Sequence, residues 1–292
     1  TLDEKMHAAE ILAQKGHKSV PVIFSRVLKS KKADIKLKEE IIRLIGDSEK
    51  NDRLPLLLDT LNTDSKDLLL VDLHVLSNFA PGDIAGSFTE HRLLTTLISL
   101  FQKETDFEIR VAALQNIANF DSKEAAMFIL NALNDPDDRV KAETLCVLKK
   151  YSDISITYYV EPFLASKNPG LKAYACVALW RFHSFKTQII SLLSDMMSGE
   201  NDEIVAAISA IAEIGIKDYR KKFNQLMNSK DFDVSMHAAY GLAKLGYLDS
   251  CARLAHLLLD DNELVSRRIY KLLQRVPKKV LKHIYRIKND VR

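Results

Sequence analysis

Hydrophobic residues recur along this chain with the period of an α-helix. The clearest stretch runs from Asp106 to Phe120, where one helical face collects Ile109, Ala113, Leu114, Ile117 and Ala118. Asp106 precedes this face, where its carboxylate can accept backbone amides of the first turn. A second apolar helix, from Lys123 to Leu133, follows after so short a break that the two helices must form a hairpin.

The hairpin pattern is repeated from end to end. First helices aligned on their apolar faces begin, at spacings of 31, 33, 41, 31, 31, 32, 31 and 30 residues, near Glu4, Ile35, Leu68, Ile109, Val140, Leu171, Glu203, Val234 and Leu264. A hairpin of this size cannot bury its own apolar face, so its neighbours must cover it. We therefore predict an all-α chain of about nine stacked hairpins, or about eighteen helices.

Helix starts carry a second regular signal. Most first helices have an acidic or amide residue three positions ahead of the aligned start, namely Asp106, Asp137, Asn168, Glu200, Asp231 and Asp261. Side chains of this kind cap the first turn and oppose the helix dipole. Gly16 and Gly246 close two helices that share the sequence Met-His-Ala-Ala, and we expect both glycines in the left-handed conformation.

The residues that follow these caps resemble the HEAT repeat, an armadillo-like family. In that family the first helix follows an Asp and carries an aliphatic-Arg pair, and the corresponding pairs here are Ile109-Arg110, Val140-Lys141 and Leu171-Lys172. With repeats of about 31 residues, the resemblance is to compact bacterial HEAT proteins and covers the whole chain. It implies an α-solenoid, a right-handed superhelix, as a single domain over residues 1–292. Because Ser235 and Val265 replace the basic residue, ion pairs between repeats should fail toward the C-terminus.

One repeat is longer than the rest, with 41 residues between Leu68 and Ile109. The surplus lies between Ala80 and Arg92, and we predict a loop there because proline and glycine disfavour a helix. The candidate residues of this insertion loop are Pro81, Gly82, Asp83, Gly86, His91 and Arg92. Long loops on a rigid scaffold often carry function, although an insertion at the edge of an array is also tolerated at little cost.

The net charge of +3 conceals an uneven distribution, because both ends are basic and the middle is acidic. The sharper cluster is a basic patch near the C-terminus, formed by Arg267, Arg268, Lys271, Arg275, Lys278, Lys279, Lys282 and Arg286. Three of these recur every four residues and so share one face of the last helix. Such a face attracts anionic lipid, nucleic-acid phosphates or an acidic protein, and it also suits a solvated end cap of a repeat array.

No catalytic pattern accompanies these features. The sequence contains no phosphate-binding glycine loop, no GxSxG elbow and no HExxH pair, and its eight histidines form no metal-ligand spacing with other ligand residues. Deoxyhypusine hydroxylase, an iron enzyme with a HEAT fold, needs His-Glu pairs, and this sequence contains no His-Glu dipeptide. The HEAT-like alkylpurine DNA glycosylases need several tryptophans, whereas this chain has only Trp180. We therefore expect no enzymatic activity, no metal, no cofactor and no small-molecule substrate.

The resemblance places the second helices on a concave groove. Polar residues two positions before the last apolar residue of these helices are Arg26, Asp59, Asn131, Asp195 and Gln225. A wet groove of mixed charge suits a protein or peptide partner, and it lacks the interleaved aromatic residues of a channel for single-stranded nucleic acid.

The first functional hypothesis is therefore a non-enzymatic scaffold that binds a protein or peptide along this groove. Compact HEAT arrays also resemble cytosolic domains appended to bacterial membrane transporters related to nucleotide carriers, so a covalently linked membrane domain is an alternative. A third hypothesis is binding of nucleic acid or an anionic membrane surface through the basic C-terminal hairpin. No signal peptide or membrane-spanning run is found in a chain that begins at Thr1, and we expect a cytoplasmic protein that is part of a larger one.

Overall fold

A computed structural model describes residues 1–15, 20–47, 53–79, 87–151, 153–260 and 262–290. Within these ranges the secondary structure is helical, without a strand, which confirms the predicted all-α class. The eighteen α-helices of the described residues are α1 Leu2–Lys15, α2 Val20–Lys29, α3 Ile35–Asp47, α4 Arg53–Thr60, α5 Lys66–Ser77, α6 Ser87–Lys103, α7 Phe107–Ile117, α8 Lys123–Asn131, α9 Asp138–Leu148, α10 Ile156–Val160, α11 Pro169–Leu179, α12 Lys186–Met196, α13 Asn201–Ile214, α14 Arg220–Leu226, α15 Phe232–Lys244, α16 Cys251–Leu257, α17 Glu263–Leu273 and α18 Lys278–Asp290.

The helices fall into two compact units, Thr1–Val147 and Leu148–Arg292. In the first unit the first helices of successive hairpins pack on one another in the order α1, α3, α5 and α7. In the second unit α11 packs on α13 and α13 on α15, while α16 packs on α18. Each hairpin therefore buries its apolar face against its neighbours, as predicted for repeats. That the whole chain forms one right-handed superhelix and a single domain stays a prediction.

Side-chain caps fix several helix starts where the sequence predicted them. Asp106 Oδ1 accepts the Glu108 amide at 2.9 Å, Asn168 Oδ1 accepts the Gly170 amide at 2.9 Å, and Asp231 Oδ1 accepts the Val234 amide at 2.9 Å. Asp261 lies outside the described residues, and Asn262 caps α17 by accepting the Leu264 amide at 3.0 Å. These bonds satisfy amides that have no partner inside the helix.

The core of the first unit contains the predicted apolar face of α7. Leu114 and Ile117 are completely buried. Beside them, the Arg110 guanidinium forms an ion pair with Asp135 and lies 4.8 Å from the centre of the Phe101 ring. The aliphatic-Arg pair thus places its apolar member in the core and its cation in a buried pair with the turn that precedes α9.

The core of the second unit surrounds α15. Every residue from 234 to 243 on this helix is buried, so neighbours cover it on all sides. Gly241 permits this packing, because a Cβ there would lie 2.9 Å from the Phe223 ring and 3.0 Å from Ile208 Cγ2. Gly246 has φ of +91°, in the left-handed region predicted for it, whereas Gly16 lies outside the described residues.

The aligned basic residue is absent at Ser235, but ion pairs between repeats continue toward the C-terminus, because Lys244 Nζ on α15 lies 3.3 Å from Glu213 Oε2 on α13. Lys172 Nζ lies 3.6 Å from Glu203 Oε1 in the next first helix, but Ser235 Oγ donates to the Met227 carbonyl at 2.6 Å instead. Arg268 then supplies a cation from the following helix, with Nη1 at 2.6 Å from Asp233 Oδ1. An ion pair between repeats is therefore formed here by residues other than those at the aligned aliphatic-Arg position.

Two of the aligned aliphatic positions are wrong as core positions. Ile35 is 50% exposed and Leu264 is 77% exposed, whereas Ile109 is 2% exposed. In α17 the buried positions are instead Ile269 and Leu273, five and nine residues further along. Leu264 lies about 140° around the helix from Ile269, and so it faces away from the core.

The insertion is also shorter than predicted. Pro81, Gly82, Asp83 and Gly86 lie outside the described residues, so their role stays a prediction. His91 and Arg92, however, belong to α6, which begins at Ser87. The segment from Ser87 to Arg92 contains neither glycine nor proline, so it can continue the helix. Within α6 the Thr96 hydroxyl donates to the Arg92 carbonyl, one turn earlier, at 2.8 Å.

Candidate binding surfaces

The five predicted groove residues all lie on second helices and are exposed. They are distributed as Arg26 on α2, Asp59 on α4, Asn131 at the end of α8, Asp195 on α12 and Gln225 on α14. The structure brings the first two of these helices together, because α2 packs on α4 within the first unit. That all five residues line one groove stays a prediction.

An open cleft of about 440 Å³ lies where α2, α3 and α4 meet the turn before α5. Asp59 lines it and forms an ion pair with Lys29, whose Nζ lies 2.8 Å from Asp59 Oδ2. Buried Ile42 and Leu68 supply apolar lining, and the remaining charged and hydroxyl-bearing lining residues are Ser25, Lys31, Lys38, Thr60, Thr63, Asp64 and Ser65. Arg26 is not among the lining residues.

Sequence reasoning found only Asp59 of this cleft. The other lining residues come from three helices and a turn, and helical periodicity carries no information about which helices meet. Lys31 and Lys38, which lie on the turn and helix after α2, contributed to the basic balance of the N-terminal region without pointing to a site.

A buried carboxyl group lies behind the cleft. Asp72 on α5 is fully buried, its Oδ2 contacts the Thr60 hydroxyl, and its Oδ1 has no hydrogen-bond partner. The Thr60 hydroxyl also lies 2.7 Å from the Leu57 carbonyl oxygen, and its single proton can serve only one of these acceptors. Burial raises the pKa of Asp72 well above its usual range, although the hydrogen bond from Thr60 opposes this shift.

Burial therefore favours the protonated form of this carboxyl group. A protonated Asp72 can donate to Thr60, which then donates to Leu57, so the contacts form a chain with a proton for each bond. The sequence contained one signal of this buried group, since Asp72 is the single polar residue in the run from Leu68 to Leu73.

The basic patch lies on α17 and α18, which we call the terminal basic hairpin. All eight predicted basic residues are exposed, as expected from the sequence. Arg267 forms an ion pair with Glu263 at 2.6 Å, and Arg268 with Asp233 at 2.6 Å. Among the described residues, no ion-pair partner lies near Lys271, Arg275, Lys278, Lys279, Lys282 or Arg286.

An exposed aromatic pair was missed by sequence reasoning. Tyr158 and Tyr159 on α10 are 79% and 46% exposed, and their rings meet edge to face with centroids 5.3 Å apart. Ile154, nearby in the chain, is 65% exposed. A helix buries only one face, so two consecutive aromatic residues beside a short apolar segment were a signal that one of them remains in solvent.

The side chains capable of covalent or metal chemistry are dispersed. Within the described ranges, no three His, Cys, Asp or Glu residues are grouped as metal ligands. Cys176 and Cys251 are buried, Cys146 is partly exposed, and burial raises the pKa of Cys176 to about 12. Trp180 caps the end of α11, and Lys186 Nζ lies 5.4 Å from the centre of its ring.

None of the helices in the described part combines the length and the apolar content that a membrane crossing needs.

Comparison with known protein families finds HEAT repeats in one segment of the chain. Residues 202–274, which comprise α13 to α17, match the family model for HEAT repeats. Among curated proteins, none is similar enough in sequence to match the chain. The match lies within the second unit, although the repeat pattern of the sequence is most regular in the first unit, near Asp106.

The solved structures that resemble this chain include designed and engineered proteins. A designed armadillo repeat protein has 16% identity, a TM-score of 0.33 and coverage of 76% of this chain and 98% of its own. An engineered protein has 18% identity, a TM-score of 0.34 and coverage of 80% and 97%, respectively. At these TM-scores, the fold rests on the helices described above rather than on the likeness.

Proposed function

We propose that this chain is a non-enzymatic scaffold for a protein or peptide partner. It is a HEAT/armadillo-like repeat protein, because residues 202–274 match HEAT repeats and helical hairpins make up the described residues. The observation that carries the proposal is the open cleft around Asp59 in the first unit. Its volume of about 440 Å³ suits a few residues of an extended or helical peptide.

The lining of the cleft favours a polar, mainly acidic peptide segment. Three lysines, Lys29, Lys31 and Lys38, outnumber the two carboxylates, Asp59 and Asp64. Because Asp59 already pairs with Lys29, the cations that remain to receive a partner's carboxylate are Lys31 and Lys38. Thr63 adds a hydroxyl that can bond to a peptide backbone, while the partly exposed Leu28 and Leu56 offer apolar contact.

A site-specific photo-crosslinker tests this proposal. We would place p-benzoylphenylalanine at Asn62, an exposed residue of the cleft lining, and at the exposed Lys167 of the second unit as a control. We expect one defined protein to be captured in cells from position 62 and not from position 167. The captured protein would then be purified and its affinity measured by calorimetry.

Charge variants separate the cleft from the rest of the surface. Lys31→Glu combined with Lys38→Glu should weaken binding by at least about tenfold, because two attractive charges become repulsive. The matched control, Lys221→Glu with Lys222→Glu, makes the same charge change on α14 and should leave the affinity unchanged. Equal loss in both double variants, or catalytic turnover by the purified chain, would contradict the proposal.

A further inference from the structure

We propose that the terminal basic hairpin binds the surface of an anionic lipid bilayer. This inference is independent of the proposed partner cleft, which lies in the other unit. It rests on the arrangement of exposed cations and an exposed leucine on α17, and on the charges at the start of α18.

On α17 an apolar residue stands in the same line as the cations. Leu264, Arg268 and Lys271 are separated by four and three residues, so they follow one side of the helix over about 10 Å, and Arg275 lies just beyond the end of the helix. The opposite side carries Ile269 and Leu273, which belong to the hydrophobic cluster shared with α15, α16 and α18. The whole basic line therefore faces away from the core.

The connection between the helices joins this line to the cations of α18. Residues 274–277 link the two helices, with Arg275 within the connection and Lys278 and Lys279 immediately after it. On α18, Lys278, Lys282 and Arg286 continue at intervals of four residues, away from the buried Val280 and Ile284. The hairpin thus presents cations on both helices and around the connection between them.

The first turn of α18 is electrostatically unusual. It contains no acidic residue, and its first two positions are Lys278 and Lys279. The N-terminus of a helix has partial positive charge, so lysines there are unfavourable by themselves. A phosphate or carboxylate headgroup at this place would interact favourably with both lysines and with the helix terminus.

The exposed leucine favours a bilayer over other polyanions. Leu264 is 77% exposed at the start of this charged face, where it gains nothing from a phosphate backbone. Against a bilayer it can enter the boundary between headgroups and acyl chains while Arg268 and Lys271 remain at the level of the headgroups. Tyr270, 54% exposed at the flank of the same face, is of the kind enriched at that boundary.

Vesicle co-sedimentation with the full chain tests the inference. The vesicles would contain phosphatidylcholine alone or with about 30% phosphatidylserine, a composition that gives a negative surface potential. We expect binding only to the anionic vesicles and a decrease of this binding with added salt. Because each cation near such a surface contributes about 1 kcal/mol, Lys278→Gln with Lys282→Gln and Arg286→Gln should weaken binding by about a hundredfold.

Two further variants make the result specific. Lys217→Gln with Lys221→Gln and Lys222→Gln removes the same charge from exposed positions elsewhere in the second unit and should leave vesicle binding within about twofold, since charges beyond a screening length contribute little. Leu264→Ser should weaken vesicle binding by about tenfold through loss of apolar burial. Circular dichroism would show that each variant keeps its helical content.

A short DNA duplex and a poly-glutamate peptide provide the competing partners. Equal sedimentation with neutral and anionic vesicles, or an equal effect of the two triple variants, would overturn the inference. So would binding to DNA or poly-glutamate that exceeds vesicle binding and is unaffected by Leu264→Ser, because the hairpin would then recognise a different anionic macromolecule.

Discussion

The buried ion pair between Arg110 and Asp135 offers the sharpest test of how the repeats are held together. Their side chains are 14% and 3% exposed, respectively, and Asp135 also accepts the Asp137 amide at 2.9 Å. Arg110→Met keeps a long apolar stem beside Phe101 but removes the cation, which leaves a buried carboxylate with only one backbone donor. Breaking a buried pair in this way should lower the free energy of unfolding by about 3 to 5 kcal/mol.

A second substitution separates loss of the pair from loss of packing. Asp135→Asn removes the negative charge but keeps an amide oxygen that can still accept the Asp137 amide. In the double variant neither buried charge remains, so its destabilisation should be smaller than the sum of the two single effects by about 2 kcal/mol. Arg110→Lys is a weaker test, because lysine keeps the charge without the planar fork.

Native-state hydrogen exchange followed by mass spectrometry is the suitable assay. It reports the stability of each segment, whereas a global unfolding curve would combine two compact units. Peptides covering residues 107–117 should lose about a hundredfold or more of their protection in Arg110→Met, and peptides covering residues 234–243 should not change. A loss below about fivefold, or additive effects in the double variant, would refute the reasoning.

Two further predictions concern the cores and their titrating groups. Leu114→Ala should cost about 2 to 5 kcal/mol because the side chain is fully buried, whereas the exposed Gln115→Ala should stay within about 0.5 kcal/mol; native-state hydrogen exchange of residues 107–117 measures both. The raised pKa of Asp72 means that folded chains hold a proton that unfolded chains lose above about 3.8, so this contribution to stability falls as the pH rises. Burial lowers the pKa of His237, so its contribution is present above about 6.5 and falls on acidification. Between about pH 3.8 and pH 6.5, the stability measured by hydrogen exchange should therefore fall with pH in the first unit and rise with pH in the second. Asp72→Asn should flatten the pH dependence of the first unit, and a pH dependence unaffected by that substitution would contradict the assignment.

Much of the fold could be predicted from the sequence because its signals are local. The start and end of α2, from Val20 to Lys29, follow from helical periodicity, and the start of α7 follows from the capping carboxylate of Asp106. The all-α class and the pairing into hairpins follow from repetition of the same signals. The basic residues of α17 and α18 could be predicted as exposed because uncompensated charges are rarely buried.

What the sequence determined by itself is therefore where helices form, where they end and which charges face solvent. Only the tertiary structure decided which neighbours each side chain meets: the pairing of Arg110 with Asp135, the burial of Asp72 behind Thr60, and the lysines that gather around Asp59. It also decided that Leu264 stands among cations in solvent rather than in the core. The physical reason is that a helical face is set by residues three or four apart, whereas its covering depends on the packing of helices separated by a repeat or more.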